Sequence, residues 1–233
     1  MLLNGGLRAI NKMLDGFDDR VIRTLIGITA LFACALSPLL PGATLVLSAN
    51  GITVYDSVNN ITWLADFNLP AGNRFGVPVC GGSAIDTKAC VNPSGSMSYQ
   101  AAAAWVAAMN AANYLGHHYW QVPTTPNSDN TGCSFTGANG SSFGFHCSAS
   151  ALGSLYYGAL GLKAPNTAVP MPKNTVGPFS NFQPYYYWSQ TIGSSGTFGY
   201  ATFSFNTGFQ DVNTKPNSER RRATGYSSSG YRL

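Results

Sequence analysis

The sequence predicts an α+β domain that contains two helices, short antiparallel strands and long loops tied by disulfides. Three observations lead to this fold class: one alanine-rich helical segment, several short runs of β-branched and aromatic residues, and 26 glycines and 13 prolines in a chain of 233 residues. Only 9% of the residues are charged, which excludes a helical bundle or coiled coil with many charged surface residues. The hydrophobic share of 45% is enough for a core and excludes a wholly disordered chain.

The order of the predicted elements is hairpin, helix, helix and hairpin. Residues 52–56 and 61–64 are β-prone runs on either side of a turn-like segment, which predicts an opening hairpin. The first helix is predicted over 99–115, because Ser98 can cap an alanine-rich segment and Gly116 can end it. A weaker apolar pattern predicts a second helix over 149–160. Three further strands are predicted, over 185–189, 200–205 and 209–212. This order suits an α+β fold in which the terminal strands meet.

Residues 1–43 are predicted to be an N-terminal extension and signal peptide. Arg20 and Arg23 precede an apolar run over 25–36, which is typical of an export signal. Ala43 and Ala49 are both candidate cleavage positions. Two alternatives stay open: the apolar segment is retained as a membrane helix, or Cys34 carries the lipid of a lipoprotein. We therefore expect an exported protein in the periplasm, at the cell surface or outside the cell.

The cysteines outside this N-terminal segment support export. Four remain, Cys80, Cys90, Cys133 and Cys147, and an even number in a secreted chain predicts two disulfides. Of the three connectivities, the local pairs 80–90 and 133–147 are the simplest, since each closes a loop rich in small and polar residues. A four-cysteine metal site is disfavoured because the sequence has no C-x₂-C pair.

Charge and motifs narrow the function classes. Residues 44–213 carry four basic and five acidic side chains, so this body offers no basic face for nucleic acid. A membrane contact is expected only through an uncleaved signal segment. The sequence lacks a G-x-S-x-G elbow and a phosphate-binding glycine fingerprint, and its one glutamate is Glu219. We therefore expect no enzymatic activity and no cofactor.

A metal ion is not expected either. The three histidines, His117, His118 and His146, lack an evident further ligand. The segment 127–132 is similar to the start of a calcium loop, but the twelfth position holds Ala138 in place of an acid.

Several motifs in register resemble one bacterial family. They are TWLAD at 62–66, MSYQAA at 97–102, YWQVPT at 119–124, SALGSLYY at 150–157, GPFSN at 177–181 and YWS at 187–189. Over residues 50–213 the chain resembles the Lcl C-terminal domain family of exported domains. The resemblance implies a C-type-lectin-like fold, akin to that of formylglycine-generating enzymes, and a role in surface adhesion or glycan binding. The calcium signatures of lectins and the reactive cysteine pair of those enzymes have no counterpart here.

These observations favour an exported, non-enzymatic binding or adhesion module, with glycans or cell-envelope components as candidate partners. The alternatives are an enzyme related to formylglycine-generating oxidoreductases and a structural envelope protein without a small ligand. Aromatic rings can stack on sugar faces while amides fix hydroxyls. Because side chains alternate along a strand, at most half of the residues in 185–188 can face a ligand. The candidate ligand-binding residues are Asn181, Gln183, Tyr185, Tyr186 and Trp188.

The end of the chain departs from the family pattern. Residues 214–233 are basic and serine-rich, and are predicted to be a disordered tail. Any strand through the three consecutive arginines at 220–222 would turn at least one charge inward. Burying an unpaired guanidinium costs several kcal/mol, so no packed strand is expected after Lys215.

Overall fold

A computed structural model describes residues 45–81, 89–125, 132–136, 142–164, 174–192, 199–214 and 221–227. The chain divides into two units, Met1–Ala43 and Thr44–Leu233, and every described residue belongs to the second. The described part is α+β, as predicted. Its strands are β1 (Leu45–Leu47), β2 (Thr53–Asp56), β3 (Ile61–Leu64), β4 (Ser96–Met97), β5 (Phe135–Thr136), β6 (Ser142–Phe143), β7 (Asn174–Val176), β8 (Phe179–Phe182), β9 (Tyr186–Ile192), β10 (Tyr200–Ser204), β11 (Gln210–Thr214), β12 (Arg221–Arg222) and β13 (Tyr226–Ser227).

Two sheets dominate the described fold. One has the strand order β1-β2-β3-β13 and the other has the order β11-β10-β9-β12-β4. Two small hairpins, β5–β6 and β7–β8, lie beside them. Neighbouring strands are antiparallel, except that β12 pairs with β9 in parallel. The predicted opening hairpin is confirmed as β2–β3, and the terminal hairpin is confirmed as β10–β11. These two hairpins belong to different sheets, and it is β13 that pairs with β3.

The first long helix, α2, forms where the alanine-rich segment predicts it. A four-residue helix α1 (Leu69–Gly72) precedes it, and α2 spans Tyr99–Ala111. The Ser98 hydroxyl accepts a hydrogen bond from Ala101 N at 3.2 Å, which confirms the predicted N-cap. The helix ends four residues before the predicted end, because Asn113 takes a left-handed conformation with φ of 50°.

The second helix begins two residues after the predicted start, with Ser150 as its N-cap. The Ser150 hydroxyl accepts from Gly153 N at 3.0 Å, and α3 spans Ala151–Gly153. A π-helical turn over Ser154–Ala159 continues it. Leu152, Leu155 and Tyr156 are buried, so this segment packs one face against the core.

The core is divided between two clusters of buried side chains. One contains Trp63, Phe67 and Tyr187 with several phenylalanines, and the other surrounds Trp105 and Trp188 against α2. Because successive side chains on a strand point to opposite faces, β9 sends Tyr187 into one cluster and Trp188 into the other. This strand is therefore covered on both faces.

The two disulfides have the local connectivity. Cys80 pairs with Cys90, and Cys133 pairs with Cys147. Both pairs close short loops, of 10 and 14 residues in sequence separation. Among the described residues, no helix is both long and apolar enough to cross a membrane.

The end of the chain corrects a prediction. Strand β12 lies between β9 and β4, and β13 pairs with β3 through Tyr226 and Trp63. Arg222 is 6% exposed and Tyr226 is 5% exposed, so the segment is packed. The prediction that no packed strand forms after Lys215 is therefore wrong for residues 221–227. Residues 215–220 and 228–233 lie outside the described part.

The segment packs because the protein interior provides hydrogen-bond acceptors for the guanidinium of Arg222. The Arg222 guanidinium donates to Asn68 Oδ1 and to the Ser94 carbonyl oxygen, and it lies over the ring of Tyr185. Ala223 and Tyr226 meanwhile fill core positions. Burial of these apolar groups offsets the cost of desolvating the guanidinium.

Candidate functional site

The predicted ligand-binding residues lie on β8, on β9 and in the bend between them, but the structure separates them by burial. Asn181 is exposed on β8, and Tyr185 is 51% exposed in the bend. Gln183 and Tyr186 are half-buried. Trp188 is 0% exposed. The candidate surface therefore consists of Asn181, Gln183 and Tyr185, with Tyr186 at its margin.

The surface position predicted for Trp188 is wrong. Its indole Nε1 donates to the Met97 carbonyl oxygen at 3.0 Å, which ties β9 to β4. Its ring packs edge-on against Tyr99 with ring centroids 5.8 Å apart. The prediction assumed that one face of the strand meets solvent. Because β9 is an interior strand with a core cluster on each face, alternation exposes neither face.

Tyr187, the neighbour of Trp188, anchors the bend from beneath. Its hydroxyl accepts a hydrogen bond from Gln183 N at 3.1 Å. Burial raises the pKa of Tyr187 well above its ordinary value, although this hydrogen bond opposes the shift. The phenol is therefore neutral, and it holds the backbone of the bend against β9.

The backbone of Tyr185 is hydrogen-bonded on both sides, whereas its ring is half exposed. Its N–H donates to the Gln183 carbonyl oxygen at 2.8 Å, and its own carbonyl oxygen accepts from Phe205 N at 3.1 Å. The ring lies over the Arg222 guanidinium, whose carbon is 5.2 Å from the ring centroid. No described residue hydrogen-bonds to the Tyr185 hydroxyl. The exposed side of the ring is thus available to a ligand.

The two amides beside Tyr185 are oriented by the protein. Asn181 Nδ2 donates to Asp66 Oδ2 at 3.0 Å, and Gln183 Nε2 donates to the Asn181 carbonyl oxygen at 3.0 Å. Asn181 has a left-handed backbone with φ of 50°, a conformation that asparagine tolerates. Both amide nitrogens are used internally, while neither side-chain oxygen accepts a hydrogen bond from a described residue. The surface therefore presents two oriented acceptors.

Beneath the ring, Arg222 is a buried cation with neutral partners. Its Nη1 donates to Asn68 Oδ1 at 2.7 Å and to the Ser94 carbonyl oxygen. Its Nε is buried and has no hydrogen-bond partner. No described carboxylate forms an ion pair with it. Burial lowers the pKa of Arg222, and the nearby Tyr187 and Tyr185 oppose the shift, so the side chain remains charged.

Asn68 is held in place for this contact. Its N–H donates to Asp66 Oδ1 at 2.8 Å, and its Nδ2 donates to the Ser94 carbonyl oxygen at 3.1 Å. Gly95 lies directly against it: the glycine has φ of 85°, and a Cβ there would overlap Asn68 Oδ1. Glycine is therefore required at 95 both by conformation and by the close approach of Asn68.

Sequence reasoning missed four residues that build this site. Asp66 occurs in the TWLAD motif, which was the only signal for it. Asn68 and Ser94 lie in polar loop segments without a distinctive pattern. Arg222 falls in the segment that charge patterning predicts to be a tail, and its partner Asn68 is 154 residues away in sequence.

The other candidate groups of the sequence do not come together. No group of three His, Cys, Asp or Glu among the described residues could hold a metal ion. His118 Nδ1 lies 2.9 Å from the Asn110 carbonyl oxygen, and the His146 ring packs on Tyr157. Most of the loop that is similar to a calcium site, together with Ala138, lies outside the described residues.

In comparisons with known proteins, no family model matches the chain, and neither a curated protein nor a solved structure matches it. The site is therefore interpreted from its own geometry. That geometry offers an exposed aromatic ring, two amide oxygens that accept from no described donor, and a cation beneath the ring. These groups can bind a polar ligand that has an apolar face.

Proposed function

We propose that this protein is an exported, non-enzymatic binding module of the Lcl C-terminal type, with a C-type-lectin-like fold. Its ligand is a carbohydrate, bound at the surface formed by Asn181, Gln183 and Tyr185. The motifs shared with that family, the α+β architecture and the two disulfides support this proposal.

The exposed Tyr185 ring beside two oriented amide oxygens is the observation that carries the proposal. A sugar ring has an apolar C–H face that stacks on an aromatic ring, and hydroxyls that donate to amide oxygens. The internal hydrogen bonds of Asn181 and Gln183 fix both amides before the ligand arrives. Such preorganisation lowers the entropic cost of binding.

Export is supported by the disulfides. Disulfides persist in oxidising compartments and are rare in the cytosol of most cells. Cys80, Cys90, Cys133 and Cys147 are all paired here. Together with the signal-like N-terminus, these pairs support a periplasmic, cell-surface or extracellular location.

Glycan-array binding and calorimetry with the sugars it selects test the proposal. Tyr185→Ala should weaken binding at least about tenfold, as expected for removing a stacking aromatic at a binding centre. The matched control is Tyr119→Ala, since Tyr119 is also exposed, at 64%, and has no described hydrogen bond or ring contact with a site residue. If the Tyr185→Ala and Tyr186→Ala double variant binds the same sugars unchanged, this surface is not the carbohydrate site.

A second candidate, a structural envelope protein that self-associates, is supported by strand β1. Among the described strands, β1 is at the edge of its sheet, and its Val46 and Leu47 are 52% and 46% exposed. An apolar edge strand is a template for pairing with another chain. Light scattering after size exclusion should then show oligomers that Val46→Lys converts to monomer. A wild-type protein that is monomeric at high concentration rejects this candidate.

A further inference from the structure

We infer that the unused edge of the Arg222 guanidinium, beneath the ring of Tyr185, is a binding subsite for a carboxylate group. The inference goes beyond the proposed carbohydrate contact, because it depends on the chemistry of Arg222 and holds for whatever the rest of the ligand is. The carboxylate could belong to an acidic sugar or to the terminus of a peptide.

The described groups around Arg222 do not neutralise its positive charge. A buried guanidinium is costly unless it is paired and hydrogen-bonded. Both acceptors of its Nη1, Asn68 Oδ1 and the Ser94 carbonyl oxygen, are neutral. No described carboxylate pairs with it. The positive charge therefore has only dipoles and one aromatic ring as partners within the described residues.

Asp66 approaches this region but does not neutralise Arg222. Its Oδ1 accepts from Asn68 N at 2.8 Å, and its Oδ2 accepts from Asn181 Nδ2 at 3.0 Å. Both contacts direct the carboxylate toward amide donors. Asp66 thus orients the neutral groups around the site and does not serve as the counter-ion of Arg222.

The hydrogen-bonding pattern of the guanidinium indicates the shape of the anion that it can bind. Nη1 is used twice, whereas neither Nε nor Nη2 donates to a described residue. These two nitrogens present parallel N–H groups on one edge of the planar group. That edge matches the two oxygens of a carboxylate in a bidentate pair. Chloride, a single atom, cannot offer a separate acceptor atom to each of the two N–H groups.

Tyr185 controls access to this edge. Nε has no exposed surface while the ring lies over the guanidinium. The ring is 51% exposed, and no described residue hydrogen-bonds to its hydroxyl. In the inferred complex the ring rotates about its side-chain bonds to uncover the cation. A carboxylate then replaces the ring as the partner of Arg222. The remaining surface of the ligand meets Asn181 and Gln183.

The test uses the whole exported protein, labelled with ¹⁵N, and follows the side-chain Nε–H resonance of Arg222 by NMR. Sodium acetate is the probe, and acetamide and sodium chloride are the controls, with the ionic strength held equal. We expect acetate to shift the Arg222 resonance in a saturable way, with acetamide and chloride at least about tenfold weaker, the factor a charge-assisted hydrogen bond provides. D-glucuronate and N-acetylglycine, each compared with its uncharged amide, identify the source of the carboxylate.

Variants at Tyr185 separate this inference from the proposed function. Tyr185→Ala uncovers the guanidinium, so acetate affinity should rise about threefold or more, while binding of neutral sugars falls. The control Tyr119→Ala should change neither. Arg222→Lys keeps the charge but loses the planar pair of N–H donors, so it should abolish the preference for acetate over chloride. If that variant does not fold, the opposite responses of Tyr185→Ala remain decisive.

Two outcomes overturn the inference. One is the absence of a saturable shift of the Arg222 resonance with acetate, in both the wild type and Tyr185→Ala. The other is chloride binding as tight as acetate binding, which indicates a site for any anion. Loss of neutral-sugar binding alone bears on the carbohydrate proposal and leaves the carboxylate subsite intact.

Discussion

Tyr187 and Trp188 are adjacent on β9, yet their side chains enter different core clusters and neither has exposed surface. The Tyr187 hydroxyl holds the bend that carries Tyr185, and the Trp188 indole holds β4. The candidate surface is thus fixed to the strand that links both cores. Its rigidity comes from this strand, and its ligand contacts come from the bend that precedes the strand.

We expect substitution of Trp188 to destabilise the fold without a direct effect on ligand contacts. Trp188→Ala should lower the free energy of unfolding by about 3–5 kcal/mol, the usual cost of removing a buried large aromatic. Trp188→Phe should cost about 1–3 kcal/mol, because the Met97 carbonyl oxygen loses its donor in a buried site. Urea unfolding followed by circular dichroism measures both.

The matched control for these variants is Tyr185→Phe. It keeps an exposed ring and removes a hydroxyl to which no described residue hydrogen-bonds, so stability should change by less than about 0.5 kcal/mol. If Trp188→Phe is as stable as this control, the hydrogen bond from Trp188 to Met97 contributes nothing to stability.

Removal of either disulfide should be costly but should not change the connectivity of the other. Replacing Cys80 and Cys90 together by serine should lower the free energy of unfolding by about 2–4 kcal/mol, since the open loop regains entropy in the unfolded chain. Cys133 and Cys147 should behave alike. Mass mapping of unreduced peptides checks the remaining pair, and a shuffled pair in either variant contradicts the prediction.

Local sequence patterns predict the elements whose contacts are local. Ser98 caps α2 because its partner is Ala101, three residues away, and the opening hairpin forms across one short turn. The local disulfides belong to the same class, because each closes a short loop. In each case the contacting residues are close to one another in sequence. A local sequence pattern is therefore enough to predict the contact.

Only part of the site could be predicted, because the contacts of its central cation join residues that are far apart in the sequence. Tyr185 and the amides stand out as exposed aromatic and polar groups near one another in sequence. Arg222 reaches Asn68 across 154 residues, and a local pattern of three arginines indicates exposure. Trp188 was misplaced for a related reason: alternation predicts that one face is exposed, and only the sheet order shows that β9 is interior.

The stacked pair Tyr99 and Tyr200 should give the protein a measurable alkaline transition. Their ring centroids are 3.4 Å apart. Burial, with a smaller contribution from Tyr200, raises the pKa of Tyr99 to about 12 from 10.0. The unfolded chain ionises first as pH rises, so the stability contributed by Tyr99 is present below pH 10 and is lost as pH rises through about 12.

Spectrophotometric titration at the tyrosinate band checks this shift. Wild-type protein should show one phase near pH 12 that Tyr99→Phe lacks, and the variant should lose less stability between pH 10 and 12. Tyr119→Phe, at an exposed tyrosine, should leave that phase unchanged. A Tyr99→Phe titration that superimposes on the wild-type curve is incompatible with the stacked, half-buried position of Tyr99.

The last strand, β13, should be essential for stability although it is only two residues long. The Tyr226 ring packs on Trp63 with centroids 5.4 Å apart, and its hydroxyl lies 3.2 Å from Thr124 Oγ1. Tyr226→Ala removes a buried aromatic and should lower the free energy of unfolding by about 3–5 kcal/mol.

In the same region the peptide bond after Arg222 is held between two strands, so trypsin should cut it only after local or global unfolding. We therefore expect this bond to survive limited trypsin digestion of the wild-type protein and to be cleaved readily in Tyr226→Ala, as followed by intact mass. Rapid cleavage after Arg222 in the native wild-type protein would instead mean that the segment 221–227 is not packed against β3 and β9.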